Sequence, residues 1–110
     1  MKNVRVGHIN FLNVLPLTYS YKHGYSEGLE ITYDVPSALN EDLKNNQLDI
    51  SPISSIFYAQ NNDKLLMLPN ICIRADCDVT SIVLISKKPI ENITDDKIIL
   101  TAKSATSHRL

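Results

Sequence analysis

An α/β fold with a mainly parallel sheet flanked by helices is predicted for this 110-residue chain by three features of its sequence. Short apolar runs alternate with amphipathic stretches in the order strand, helix, strand, helix, strand, helix over residues 4–63. Each of these strands runs within a few residues into helix-start chemistry, which calls for right-handed crossovers rather than hairpins. Further along, Leu65–Leu68, Ile71–Ile73 and Val79–Ile85 are apolar runs rich in β-branched residues. Runs of that kind read as strands covered on both faces, as in parallel sheets.

The first strand is carried by Val4, Val6 and Ile9, and the chain is expected to begin with it, with no leader before it. Asn13 is placed as a helix N-cap, and Pro16 falls in the first turn, where its missing N–H has no intrahelical role. Leu15, Leu17 and Tyr21 supply the apolar contacts of this helix, and Lys22, His23 and Gly24 stop it. Leu29, Ile31 and Tyr33 alternate with Glu30, Thr32 and Asp34, the pattern of a half-buried strand.

Pro36-Ser37 opens a second helix with Leu39 and Leu43 inward and Asn40, Glu41, Asp42 and Lys44 in water, and Asn45-Asn46-Gln47 ends it. Leu48–Ile50 is a short strand. Ser51-Pro52 then supplies a capping hydroxyl and a proline for a third helix that packs through Ile53, Ile56 and Phe57 and ends at Asn61-Asn62-Asp63. After Lys87-Lys88-Pro89 come a short segment, Ile90–Asp95, and another strand, Lys97–Leu100. Residues 101–110 read as a turn entering a helix that stops after about one or two turns, well short of an ordinary helix. The expectation is therefore an N-terminal fragment.

A net charge of −1, with no basic cluster and no series of stacking aromatics, argues against a nucleic-acid partner. No apolar run approaches a membrane span and no secretory segment is evident, so the expected location is cytoplasmic. Cys72 and Cys77 fit no zinc or thioredoxin spacing. They are expected to be reduced, partly buried thiols, and no metal site is expected.

In parallel α/β sheets ligands sit beyond the carboxyl ends of the strands. Three junctions there carry small polar residues: Asn10 to Asn13, Ser51 to Ser55, and Ser104 to Ser107. Free N–H groups and hydroxyls at helix starts suit a small carboxylate or phosphate, although the same residues serve equally as plain helix caps. His8 reads as hydrogen-bonded structure rather than a proton shuttle, His23 as helix punctuation, and Asp76 and Asp78 as turn residues. The sequence shows no Ser/His/Asp set, no phosphate-loop glycine pattern and no placed carboxylate pair.

Arg5-Val-Gly-His-Ile-Asn-Phe-Leu-Asn-Val-Leu-Pro-Leu17, Leu48-Asp-Ile-Ser-Pro-Ile-Ser54, Asp78-Val-Thr-Ser-Ile-Val-Leu-Ile-Ser86 and Ser104-Ala-Thr-Ser107 resemble, in order, the motifs of chorismate dehydratase, which opens the futalosine route to menaquinone. The resemblance implies a periplasmic-binding-protein-like type II fold: residues 1–86 would be most of lobe one, and 87–110 the crossover and first βα unit of lobe two. It implies a lyase that dehydrates chorismate to 3-[(1-carboxyvinyl)oxy]benzoate, with the substrate's own carboxylate as base and no cofactor. By motif position Asn13 and Ser81 would be catalytic, and Ser54, Ser104, Thr106 and Ser107 would bind substrate. There are two departures from the family pattern. Ala105 replaces a usual arginine, weakening the clamp on one carboxylate, and Cys77-Asp78 replaces a usual Gly-Pro. The competing readings are 1,4-dihydroxy-6-naphthoate synthase of the same route and a non-catalytic small-anion-binding module. The resemblance leaves oligomeric state open, and the 110 residues alone are expected to be inactive.

Overall fold

The chain is organised around β1 (Val4–Ile9), whose last four residues are all buried. The computed structural model describes residues 2–80, 82–94, 97–102, 104 and 106–108. On one side β1 pairs in parallel with β2 (Leu29–Asp34), from Val4 opposite Leu29 to Ile9 opposite Asp34. On the other side Leu48–Ile50 joins through a parallel bridge between Val6 and Ile50. Gly7 N–H donates to Ile50 O at 2.8 Å, and the Asp49 and Ile50 N–H groups share Arg5 O at 2.8 and 3.1 Å. The expected strand–helix alternation and parallel pairing are present, and β1 lies in the middle.

Side chains fix this register as well. Arg5 forks onto Asp49, with Nη2 to Oδ1 at 2.7 Å and Nε to Oδ2 at 3.1 Å, and Arg5 N–H donates to Oδ2 at 2.9 Å. Hydrogen bonds from the Arg5 side chain, and next from its backbone, hold the Asp49 carboxyl well below the usual carboxylate range. The same side-chain contact raises Arg5. A carboxyl lowered in the folded state stabilises the fold fully above its unfolded value of about 4, and that contribution is lost as pH falls further. Acid titration of the unfolding midpoint is therefore expected to show a decline below about pH 4 that is shallower in Asp49→Asn.

Gly7 is required by close approach rather than by a special backbone angle. A Cβ on it would lie 2.6 Å from Ser51 Oγ, 2.9 Å from Leu48 Cδ1 and 3.0 Å from Ser51 Cβ. Glycine within a strand often marks such an approach. Gly7→Ala is expected to lower stability by about 1–3 kcal/mol in urea unfolding, and adding Ser51→Gly should recover part of it.

A helical stretch follows β1 as a 3-10 turn at Leu12–Val14, α1 (Leu15–Thr18) and a second 3-10 segment at Tyr19–His23. It ends at Gly24 with φ 96°, the left-handed stop expected there, with Lys22 and His23 in its last turn. Asn13 is not its cap. Phe11 occupies the extended position before the first turn and Asn13 lies inside that turn, exposed. The buried contacts come from Val14 and Thr18, four residues apart, rather than from Leu17, which is exposed.

The second helix, α2 (Pro36–Lys44), starts at proline as expected and presses Leu39, 0 % exposed, into a cluster with Ile9, Val14 and Leu48, with Leu43 at its rim. Asn40, expected in water, is buried beside Leu39, and its Oδ1 has no partner among the described residues. The third helix, α3 (Ser55–Gln60), begins later than expected: Ser54, not Ser51, is the cap, its Oγ accepting from Phe57 N–H at 3.2 Å. Proline disfavours helical backbone in the residue before it, and Ser51 lies close against Gly7 instead.

Beyond Lys64 the expectation fails. Among the described residues no strand forms at Leu65–Leu68, Ile71–Ile73, Val79–Ile85 or Lys97–Leu100, where Leu66 is 100 % and Ile99 95 % exposed. A central strand needs ladder partners on both edges and cover on both faces, and the small sheet around β1 supplies neither to these segments. The chain is accordingly drawn out to 59 × 30 × 23 Å, with a radius of gyration of 16.9 Å. A compact domain of this length would have about 13 Å. Cys72 and Cys77, expected partly buried, are free and exposed.

Candidate functional site

The carboxyl end of β1 turns sharply into the first helical stretch. Phe11 N–H reaches back to Ile9 O at 2.8 Å and Val14 N–H to Phe11 O at 3.1 Å, which leaves Asn10 and Asn13 exposed at the turn. A hollow of about 350 Å³ opens there, lined by His8, Asn10, Phe11, Leu12, Leu15 and Lys22. His8 is 2 % exposed, with Nε2 2.5 Å from Thr18 Oγ1 and its ring 4.8 Å from that of Tyr33. It is hydrogen-bonded structure, as expected, and it ties β1 to α1.

The second junction lies alongside. Because Leu48–Ile50 is bridged to β1, its carboxyl end delivers Ser51 to Gly7 and leads on to Ser54. Ser54 Oγ is committed as an acceptor to the helix but keeps its hydrogen for an outside acceptor. The third junction is self-contained. Ser104 Oγ accepts from Ser107 N–H at 3.3 Å and from Ser107 Oγ at 3.1 Å, capping the 3-10 turn Thr106–His108, and His108 Nε2 lies 2.9 Å from Thr101 O.

Structure thus brings the first two junctions to neighbouring strand ends, and it pairs Ser104 with Ser107. Among the described residues no hydrogen bond links Asn13, Ser54 and the Ser104 group to one another, and Ser81 lies outside the described residues. The segments that open at these junctions are short: the three-residue 3-10 turn Leu12–Val14 ahead of the four-residue α1, the six-residue α3 and the three-residue turn Thr106–His108. So few aligned peptide dipoles give a weak field, so hydroxyls, amides and the cation that lines the hollow, Lys22, carry more of any anion binding than the helix starts do. Sequence reasoning passed over that cation, Lys22, by reading it as helix punctuation. The signal for it is spacing: Lys22 follows Thr18 by one helical turn.

No helix among the described residues is long and apolar enough to cross a membrane. A sequence model described as menaquinone biosynthesis matches residues 4–110. Chorismate dehydratase from Thermus thermophilus is 30 % identical over 107 residues, covering 97 % of this chain and 38 % of the relative, so the chain spans about two-fifths of the length of that protein. With the match running from the first residue of β1 through all three junctions, the chain belongs to the menaquinone biosynthesis family.

Proposed function

We propose that this chain supplies the first part of a chorismate dehydratase, a lyase that removes water from chorismate to give 3-[(1-carboxyvinyl)oxy]benzoate in the futalosine route to menaquinone, in the cytoplasm. One observation supports the assignment: the match to the Thermus enzyme, at 30 % identity, runs over 97 % of the chain and so spans the polar junctions. The proposed architecture is the two-lobed periplasmic-binding-protein-like type II fold, with residues 1–86 in lobe one and 87–110 entering lobe two.

The chemistry asks little of the protein. Loss of the ring hydroxyl and a ring proton makes the ring aromatic, and the enolpyruvyl carboxylate of the substrate takes that proton, which leaves with the hydroxyl as water. The site therefore needs no side-chain base and no cofactor. It must hold a dianion in its reactive conformer and keep water out. Asn13 and Ser81 are assigned to orient the ring and hydrogen-bond the departing hydroxyl. Ser54 binds substrate through its uncommitted hydrogen, and Ser104, Thr106 and Ser107 receive a carboxylate.

The test is to give chorismate to the full-length protein encoded with this sequence and identify the products by mass spectrometry. The aromatic enol ether is expected. Binding without loss of water would instead favour a non-catalytic small-anion module, and failure to bind would end the assignment. The 110 residues alone, at 38 % of the length of the Thermus enzyme, are expected to turn chorismate over negligibly.

A further inference from the structure

Lysine and arginine occur at three positions from the start of the chain to the end of the first helical stretch, and two of these are spent or distant. Arg5 is forked onto Asp49. Lys2 precedes the amino end of β1, a strand length of about 20 Å from its carboxyl end. Lys22 lines the hollow at that carboxyl end and makes no ion pair among the described residues.

Closing its own helical turn does not occupy Lys22 either. His23 Nδ1 lies 2.7 Å from Tyr19 O, where only the ring can donate, and the N–H groups of Gly24 and Tyr25 both reach Ser20 O. The Tyr19 and Ser20 carbonyls, which a lysine in that turn could cap, are therefore already bonded. Asp34 stands opposite Ile9 at the same end of the sheet, but its Oδ1 accepts from Val35 N–H at 2.7 Å and it forms no ion pair with Lys22.

The rest of the hollow sets what an anion there must carry. Its volume of about 350 Å³ suits a small molecule, whose pockets run to about 300–1,000 Å³. Phe11, Leu12 and Leu15 line it with apolar surface, and Asn10 adds an amide. Phe11 and Leu12 are 56 % and 85 % exposed, so a ligand that covers them gains from apolar burial as well as from charge.

We infer that Lys22 is the charge-selecting residue of this hollow, pairing with the carboxylate of a ring acid whose ring lies on Phe11, Leu12 and Leu15. On the reading above, on which this assignment rests, the ring acid is chorismate, and the reaction chooses between its two carboxylates. The enolpyruvyl carboxylate takes the ring proton, and an ammonium beside it would lower its basicity. Lys22 therefore holds the ring carboxylate, which takes no part in the loss of water. Binding of that kind is shared by ground and transition states, so it acts on KM rather than on kcat.

To test this, the full-length protein is titrated calorimetrically with benzoate, which has a ring carboxylate alone, with 2-phenoxyacrylate, which has the enolpyruvyl carboxylate alone, and with chorismate. Lys22→Met is expected to bind benzoate and chorismate about tenfold more weakly, the effect of one charge-assisted hydrogen bond, and to bind 2-phenoxyacrylate unchanged. Its KM for chorismate should rise about tenfold with kcat intact, and Lys22→Arg should recover most of the loss. Added sodium chloride should weaken benzoate binding in the parent protein and much less in Lys22→Met. The unfolding midpoint should not move, because Lys22 is exposed. Benzoate that binds both proteins equally, or neither, overturns the inference and leaves the dehydratase reading standing if chorismate is still dehydrated. Equal losses for benzoate and 2-phenoxyacrylate overturn the choice of the ring carboxylate. A benzoate response to Lys22 in a protein that neither binds nor dehydrates chorismate keeps the ring-acid site and removes the chorismate assignment.

Discussion

Leu39→Ala is expected to destabilise the chain by about 2–5 kcal/mol, the range for deleting a buried leucine side chain that leaves a cavity behind. Leu39 is 0 % exposed and is the point at which α2 meets Ile9 of β1, Val14 of the first helical stretch and Leu48 of the bridged segment. Few other residues share the load. Among the described residues the buried apolar set is completed by Val6 and Phe57, and the apolar runs beyond Lys64 contribute little because they lie largely in solvent. A natural domain is stable by about 5–15 kcal/mol, so a loss of this size at the centre of so small a core should abolish cooperative unfolding in urea, followed by far-ultraviolet circular dichroism. Leu39→Met, close in volume, should cost less than about 1.5 kcal/mol. Equal midpoints for the two variants would show that the core is not built on this side chain.

The same core explains which parts of the fold were legible in the sequence. Patterns that depend on near neighbours translated well: the alternation of Leu29, Ile31 and Tyr33 became β2, Pro36 opened α2, and Gly24 closed the first helical stretch. Patterns that depend on distant partners did not. Val79–Ile85 has the composition of a central strand, but composition says nothing about what lies on either edge, and no ladder partner reaches this segment among the described residues. Local chemistry also offered two caps for the third helix, and tertiary contact chose between them: Ser51 is drawn against Gly7, so the capping role passes to Ser54. Asn40 was misplaced for the same reason. The helical pattern put a polar residue in water, while its neighbour Leu39 pulled that part of α2 into the core.

For the candidate site, residue types were legible and their pairings were not. The polar residues at the end of β1 and at Ser54 could be named from helix-start chemistry, and the parallel bridge at Ile50 brings those two strand ends side by side. The tie from His8 to Thr18, which leaves one imidazole nitrogen bare, joins a strand to a helix ten residues on and follows no sequence period.

Asn13→Ala is expected to lower chorismate turnover by the full-length protein about a hundredfold, equivalent to about 2.7 kcal/mol of lost transition-state stabilisation. The position suits a clean test because fold and function separate there. Asn13 is exposed, does not cap the first helical stretch, and its side chain makes no hydrogen bond among the described residues. Its replacement should therefore change stability by no more than about 0.5 kcal/mol, so a fall in rate could not be put down to unfolding. If the amide meets the departing hydroxyl as charge develops on it, kcat should fall and KM should change little. If it merely holds the ground-state ring, KM should rise with kcat intact. Ser81→Ala should give a fall of similar size, and the double variant should lose less than the product of the two, as expected of groups acting on one oxygen. Unchanged turnover in Asn13→Ala would remove Asn13 from the chemistry while leaving membership of the family untouched.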